Sequence, residues 1–406
     1  MTKLEKKKEL LKKIEEMNNN GKKTIAIFTD AFFPVIDGVV SVVDNYAKRL
    51  KKYFNVVVCA PRHKISHNER EYLVIEMGSI FFNKLGYDYA VPEMDAQFKQ
   101  IIKKLRIDLV HLHSPFNAGF FAVKLAKKRK IPVVGTFHSL YKQDFLKQTN
   151  SMAITKMLLR TIMRVYNNCD EVWTMNTFSG GELVDYGYKG KINYFQNSSN
   201  FVLNPDEDGA VELVNEKYGL KGQQNVLLFL GRLVSQKNIL FIADCLQVLK
   251  QNNVPFKMIY VGKGPDEEEL IQKIKTLGLE KDVIFTGLVT DKFEIQGWFS
   301  RADLFVFPSV YDTEGVVKIE AALCKTPTIA IAGTGAASGI EDNVSGFLSE
   351  ENVEVFSQRI MDLLNNKAEL ARVGLVAKQA LYKSWDEIVA SVANRYEELI
   401  EQKKSK

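Results

Sequence analysis

Residues 312–320 read DTEGVVKIE, two carboxylates eight positions apart with Gly315, Val316 and Val317 between them. An apolar run, ADLFVFPS (302–309), precedes them, and Glu320 falls within a helical pattern that continues through EAALCKTP. Backbone N–H groups at a helix start are unpaired and lie at the positive end of the helix dipole, so this junction is a candidate anion site. The spacing alone leaves two readings open. With Asp312 in the loop, both acids can point into one crevice, one taking sugar hydroxyls and the other a ribose. With all eight residues helical, the same acids mark one solvated face.

Earlier in the same half, LGRLVSQKN (230–238) places Arg232 and Lys237 five residues apart across a strand-to-helix turn. Two cations beside a helix N-terminus form a diphosphate cradle, or they are two solvated surface cations. VGKGPDEEEL (261–270) has a Gly-x-Gly before a helix, a weak signal by itself. Its acids, 266–269, would repel a phosphate and read better as first-turn carboxylates on a helix dipole. In the first half, His138 follows PVVGTF directly, at the carboxyl end of a candidate strand. His111 and His113 alternate along another strand and read equally well as structural. Gly38 stands where AFFPVIDGVVSVV turns into a helix, a place for a phosphate or for an ordinary tight turn. No convincing metal site accompanies these groups: Asp206-Glu207-Asp208 has the letters of a DxD triplet but falls in a polar, linker-like stretch.

Short apolar runs rich in β-branched residues set the frame for these side chains. The first half has TIAIFTD (24–30), NVVVCAP (55–61), DLVHLHS (108–114), IPVVGTFHS (131–139) and EVWTMN (171–176). Continuous apolar strands of this kind are buried on both faces, as in a parallel sheet wound with helices. The series stops at NYFQNSSNFVLNPDEDG (193–209), which is turn-rich and reads as a linker. NVLLFLGRL (225–233), FKMIYVGKGP (256–265), DVIFTGLV (282–289), ADLFVFPSV (302–310) and TPTIAIAG (326–333) then repeat the pattern. The expected architecture is α/β, two doubly wound parallel-sheet domains in tandem, with ligands beyond the carboxyl ends of the strands. A Lys/Glu-rich helical extension (1–23) precedes a first domain (24–197) and a second (205–384).

Bulk properties agree with two soluble domains. The chain has 406 residues, 46% hydrophobic and 26% charged. Its four cysteines lie far apart without a CxxC pair, which argues against a disulfide framework or a zinc ribbon and fits a reducing cytoplasm. No apolar run reaches the roughly 18 residues that span a bilayer, and no signal-peptide pattern opens the chain. A net charge of +6 suits a nucleotide diphosphate, an anionic membrane or nucleic acid without choosing among them. No nucleic-acid motif supports the last.

In order along the chain, these motifs resemble those of the retaining glycosyltransferases of family 4, whose GT-B fold is two Rossmann-like domains facing a cleft. The signature E-x-F-G-L-V-x-L-E-A-M-A-x-G-x-P corresponds to DTEGVVKIEAALCKTP, with Asp312 for the first glutamate and Lys325 for the glycine. FLGRLVSQKN is similar to G-R-L-x-x-x-K-G, with Asn238 for its last glycine. FFPVIDGVVSVV is similar to the P-x-x-G-G-V loop, with Asp37 for its first glycine, and GTFHSLY to the T-x-H segment. QNSSNF stands where the family has P-N-G-V-D.

The resemblance implies a catalytic set of His138, Asp312, Arg232 and Lys237. Arg232 and Lys237 would hold the nucleotide diphosphate. Asp312 and the backbone of Gly315, Val316 and Val317 would hold the donor sugar and β-phosphate, and Glu320 the ribose. Gly287, Leu288 and Val289 would contact the base, Gly38 and Val39 would close over the diphosphate, and His138 would lie beside the sugar. SWDEIVASVANRYEELIEQ looks like the family's terminal helix, so 385–406 would return to the first domain. The leaving diphosphate would be stabilised by fixed cations and N–H groups, with no metal or other cofactor and no protein nucleophile. Family habit favours a UDP-sugar donor.

The acceptor is approached through KQDFLKQTNSMAITKMLLRTIMRVY (142–166), where Lys156, Arg160 and Arg164 recur every four residues. This is either a basic amphipathic helix for an anionic membrane or a domain helix with a solvated stripe. The membrane reading fits relatives such as diacylglycerol glucosyltransferases and implies a lipid or saccharide acceptor, in glycolipid or polysaccharide synthesis on the inner face of the membrane. Two other readings remain: a GT-B binding protein without turnover, suggested by Asp312 and Lys325, and a GT-B sugar-nucleotide epimerase, which would need no acceptor.

Overall fold

The structure, a computed structural model, describes residues 3–35, 37–63, 70–82 and 87–405, so Ile36 of the 31–43 stretch lies outside the described residues. The chain divides into two compact units, one of Met1–Asn197 with Trp385–Lys406 and one of Ser198–Ser384.

In the first unit, β1 (Thr24–Phe28), β2 (Asn55–Pro61) and β3 (Leu73–Met77) precede a hairpin of β4 (Ser79–Phe82) and β5 (Tyr87–Ala90). Strands β6 (Leu109–Leu112), β7 (Val133–Thr136), β8 (Glu171–Thr174) and β9 (Ile192–Tyr194) complete a seven-stranded parallel sheet ordered β3-β2-β1-β6-β7-β8-β9. Helices α1 (Lys3–Asn19), α2 (Gly38–Leu50), α3 (Ala96–Lys104), α4 (Asn117–Arg129), α5 (Tyr141–Thr149), α6 (Met152–Tyr166) and α7 (Thr177–Asp185) accompany it. The five expected strands are the five central ones, each buried along its whole length. Edge strands β3 and β9 are additions to that expectation: β3 breaks its short apolar run Leu73–Ile75 with Glu76, and β9 is only three residues long. The N-terminal helix is docked rather than freely solvated: Ile14 is buried in the core and Asn18 Nδ2 donates to Lys104 O at 2.9 Å.

The second unit opens with α8 (Glu207–Tyr218). Asp206 caps that helix, its Oδ1 accepting from Gly209 N at 2.9 Å, so the DxD-like triplet is a helix start rather than a loose linker turn. Strands β10 (Val226–Leu230), β11 (Lys257–Val261), β12 (Val283–Gly287), β13 (Leu304–Val306), β14 (Thr328–Ile331) and β15 (Phe347–Ser349) form a parallel sheet ordered β12-β11-β10-β13-β14-β15. Helices α9 (Ile239–Gln251), α10 (Glu267–Thr276), α11 (Lys292–Arg301), α12 (Val316–Leu323), α13 (Val353–Leu364) and α14 (Lys367–Leu381) lie between and after them. The short edge strand β15 has no counterpart in the sequence pattern. In each sheet the order reverses beside the first strand, β1/β6 and β10/β13, the switch point where a doubly wound sheet opens a crevice at its carboxyl ends.

Helix α15 (Trp385–Lys404) belongs to the first unit, where Trp385, Val389, Val392 and Tyr396 pack with Val43, Tyr46 and Leu50 of α2. An ion pair reinforces this apolar seam. Arg395 meets the buried Glu171 carboxylate with Nε at 3.0 Å and Nη2 at 2.6 Å, and Trp173 Nε1 donates to the same group at 2.7 Å. Burial alone would raise the Glu171 carboxyl, but the guanidinium fork and the indole hold it below its ordinary value. Arg395→Ala should therefore destabilise the protein by about 3 kcal/mol, because it leaves the buried carboxylate only the Trp173 indole and the Lys191 ammonium 3.7 Å away. Urea denaturation followed by tryptophan fluorescence measures the loss.

Candidate functional site

Three strand ends meet at one edge of the second sheet. Gly231 N donates to Val261 O at 3.0 Å, Leu233 N to Lys263 O at 3.0 Å and Gly262 N to Gly287 O at 2.9 Å, extending the ladder past β10, β11 and β12. A Cβ on Gly262 would lie 2.0 Å from Gly231 O, and one on Gly264 2.0 Å from Leu233 O. The Gly-x-Gly is therefore required by the close approach of two backbones. It also carries a third cation that the motif reading missed, Lys263, whose Cε sits 3.3 Å from where a Gly287 Cβ would be. Leu288 is exposed beyond this edge, and Val289 packs partly on the core.

Arg232 is exposed, and its guanidinium has no ion pair among the described residues. Lys237 ends a short 3₁₀ turn, Ser235–Lys237. Asp266 anchors that turn, its Oδ2 accepting from Ser235 N, while Glu267, Glu268 and Glu269 fill the first turn of α10. One of the four acids expected to favour a helix dipole thus serves the cation-bearing turn instead.

The β13–α12 loop brings Asp312 onto Lys237. The ammonium lies 3.0 Å from Oδ2 and 3.2 Å from Oδ1, and 5.1 Å from the centre of the Phe307 ring. Ser309, fully buried, donates its hydroxyl to Asp312 Oδ2 at 2.6 Å. Gly315 has φ +68°, and a Cβ there would lie 2.6 Å from Phe307 Cε1, so only glycine fits the start of α12. Gly335 is equally constrained: a Cβ would lie 2.1 Å from Asp312 O. Val316 and Val317 form the first turn of α12, half-buried. Glu320 lies a turn further on and accepts from Ser199 Oγ at 2.6 Å. Burial pushes the Glu320 carboxyl up, while Ser199 and Lys292 pull it down. The stretch QNSSNF, unassigned from sequence, thus supplies the partner of Glu320.

Three departures from the family motif prove conformational. Asn238 has φ +54° and Lys325 φ +62°, left-handed positions where glycine is at ease and asparagine is tolerated. Asn238 adds bonds from Nδ2 to Pro308 O at 3.1 Å and Glu351 Oε1 at 2.8 Å. Asp37 has an extended backbone and caps α2, its Oδ1 accepting from Val40 N at 2.7 Å.

In the first unit, Gly38 opens α2 with nothing within 4 Å of a built Cβ, so packing does not demand glycine there, and Val39 is half-buried. His138 is buried after β7, its Nε2 2.9 Å from His113 Nδ1 with the two rings stacked. His111 in turn bonds Tyr396 Oη and Thr136 Oγ1. Burial pushes His138 down to about 4 and the other two well below their ordinary value, so all three are neutral at pH 7. Lys156, Arg160 and Arg164 are exposed on α6, while Leu159, Ile162 and Met163 face the core. Their solvent side also carries Met152, Ile154 and Met157, with Leu146 exposed on α5. The described residues contain no cluster of three metal-binding side chains.

Residues 36–198 match the family model described as Glycosyltransferase Family 4, and residues 211–380 that described as Glycosyl transferases group 1. The chain is 23% identical over 330 residues to an alpha-monoglucosyldiacylglycerol synthase of Streptococcus pneumoniae, covering 80% of this chain and 74% of that protein. It is 23% identical over 349 residues to the enzyme of the same name from Acholeplasma laidlawii, covering 83% and 87%. Among solved structures, Anabaena Alr3699/HepE in complex with UDP has a TM-score of 0.74 at 18% identity, covering 93% of this chain and 100% of that one. That likeness shows the fold, GT-B.

Because Lys325 sits at φ +62°, replacing it by the motif's glycine should relieve strain. Lys325→Gly should stabilise the protein by about 1 kcal/mol, and Lys325→Val should destabilise it by a similar amount. The two urea midpoints check this.

Proposed function

This chain belongs to glycosyltransferase family 4, retaining hexosyltransferases that draw on nucleotide sugars, and we propose that it moves a hexose from a UDP-sugar to a lipid acceptor at an anionic membrane surface. The observation that carries the donor half is the cluster at the β10 and β13 ends. There Lys237 is held by Asp312, Arg232 stands open to solvent, and α12 begins on a tight turn that only glycine fits. UDP rather than another nucleotide is supported by the Anabaena neighbour, which was solved with it.

In this reading Arg232 and Lys237 neutralise the diphosphate as the C1–oxygen bond breaks, and the N–H groups of Gly315, Val316 and Val317 bind the β-phosphate. Asp312 binds sugar hydroxyls, Glu320 the ribose, and Gly287, Leu288 and Val289 the base. In the first unit Gly38 and Val39 give backbone contacts to the diphosphate, and His138 acts as a neutral hydrogen-bonding group beside the sugar. The acceptor oxygen bonds to C1 on the face the diphosphate leaves, and its proton passes to the departing phosphate oxygen, so no protein nucleophile is needed.

The lipid half rests on the solvent side of α5 and α6. Solvated helices rarely gather Met152, Ile154 and Met157 beside Lys156 and Arg160, whereas an interfacial helix needs both kinds of group. The names of the two relatives, both lipid glucosyltransferases, support the same class of acceptor. No described helix is long and apolar enough to cross a membrane, so attachment would be peripheral.

Incubation of the protein with UDP- and GDP-hexoses and membrane lipid extract, read by product mass, tests the whole reading. A changed sugar without acceptor would instead mark an epimerase. Lys237→Ala should lower kcat/KM for the donor more than tenfold, about 1.4 kcal/mol or more, and unchanged kinetics would remove the cradle. The double variant Lys156→Glu/Arg160→Glu should bind anionic vesicles at least about thirtyfold more weakly in flotation assays, on roughly 1 kcal/mol per lost cation. UDP affinity should stay unchanged.

A further inference from the structure

Lys318 is the most deeply buried charged residue of DTEGVVKIE. It sits in the first turn of α12 with 2% of its surface exposed. All three N–H bonds of an ammonium have carbonyl acceptors in reach: Glu314 O at 2.6 Å, Ala336 O at 2.9 Å and Gly335 O at 3.4 Å. One acceptor belongs to the β13–α12 loop and two to the turn after β14. That turn lies on the backbone of Asp312 and Thr313 so closely that Gly335 cannot carry a Cβ. Lysine is among the side chains least often fully buried, and an uncompensated buried charge is expensive. Here the cost is met by three backbone dipoles and by two nearby carboxylates.

We propose that Lys318 is the positioning residue of the donor site: its ammonium pins the turn at 333–336 to residues 312–314 and so holds Asp312 and the first N–H groups of α12 where the donor needs them. The inference rests on the donor-site reading above and assigns Lys318 no contact with substrate. A neutral amine has two hydrogens and a lone pair, so deprotonation would turn the lone pair toward a carbonyl and release one side of the pin. The charged groups facing Lys318 are Asp312, which also holds Lys237, and Glu314; residues 333–339, GTGAASG, carry no titratable side chain. Burial pulls the Lys318 amine down to about 8, against the favourable pull of Glu314 and Asp312. Donor binding should thus be intact at pH 7 and weaken as pH rises through about 8.

Protein stability follows the opposite sign. The unfolded lysine keeps its proton up to about 10.4, so above about 8 the unfolded chain binds more protons than the folded one, and this group makes stability rise with pH. A purely structural lysine would therefore not reduce ligand affinity over that range.

The test is UDP binding by calorimetry at pH 7 and pH 9, for the wild type and Lys318→Met, with Tm recorded alongside. Wild-type affinity should fall about tenfold between the two pH values with no fall in Tm from this group. Lys318→Met should bind at least tenfold more weakly at pH 7 and show no such pH dependence. Equal wild-type affinity at both pH values, or Lys318→Met binding UDP within twofold of wild type, would overturn the proposal. If the variant does not fold, the wild-type profile alone decides. Failure of the wild type to bind UDP at pH 7 would instead remove the donor-site reading on which the proposal stands.

Discussion

Under the proposed function, a cation that is to meet a diphosphate has to be held in place before the diphosphate arrives, and the pairing of Lys237 with Asp312 answers that constraint. Both side chains are partly exposed, 17% and 23%, so their ion pair is worth about 1 kcal/mol or less. Charge-assisted bonds to a diphosphate are stronger, which makes the exchange of partners favourable. The surroundings keep the pair aimed. Ser309 fixes one Asp312 oxygen, Asp266 anchors the turn that carries Lys237, and Gly335 lets a second loop close on the Asp312 backbone. A strong salt bridge would have spent the lysine; a weak, well-braced one keeps it available.

The two units differ in charge at their strand ends. The second sheet gathers Arg232, Lys237 and Lys263 there, with carboxylates in supporting positions. The first sheet carries His111, His113 and His138 there, all neutralised by burial, with His113 bonded to His138 and His111 to Thr136 and to Tyr396 of α15. The long reach of α15 matters here as well: its Tyr396 hydroxyl helps orient the row of histidines, so the chain's last helix supports the first unit's polar end.

Central strands were legible in the sequence because burial on both faces forces a continuous apolar run, as in NVVVCAP and TPTIAIAG. Edge strands β3, β9 and β15 were not, being short or interrupted by polar residues, whereas edge strand β12 keeps an apolar run in DVIFTGLV. The proposed site residues with a charge at a strand end could be placed for the same reason the elements were: Arg232, Lys237 and Asp312 follow recognisable strands. Their supports were not. Ser199, Ser309, Asp266 and Lys318 act through contacts across 3 to 121 residues of sequence, and nothing in their own neighbourhoods distinguishes a bracing serine from a solvated one.

Letters in a motif encode either a backbone conformation or a chemical group, and four of the substitutions in this chain separate the two. Asn238 and Lys325 reach the left-handed region that glycine would occupy, and Asp37 replaces a glycine where the backbone is extended and a cap is useful. At such positions any residue that attains the required φ preserves the geometry, at a cost near 1 kcal/mol where a Cβ is crowded. Asp312 is different in kind. Its backbone can accept any acid, so the change falls on the carboxylate, which sits one methylene closer to the main chain than glutamate would. That shorter reach is what lets Ser309, three residues earlier, and Lys237 share a single carboxylate. The substitution that looked like erosion of a signature is therefore the one that ties the loop, the turn and the cation into one unit.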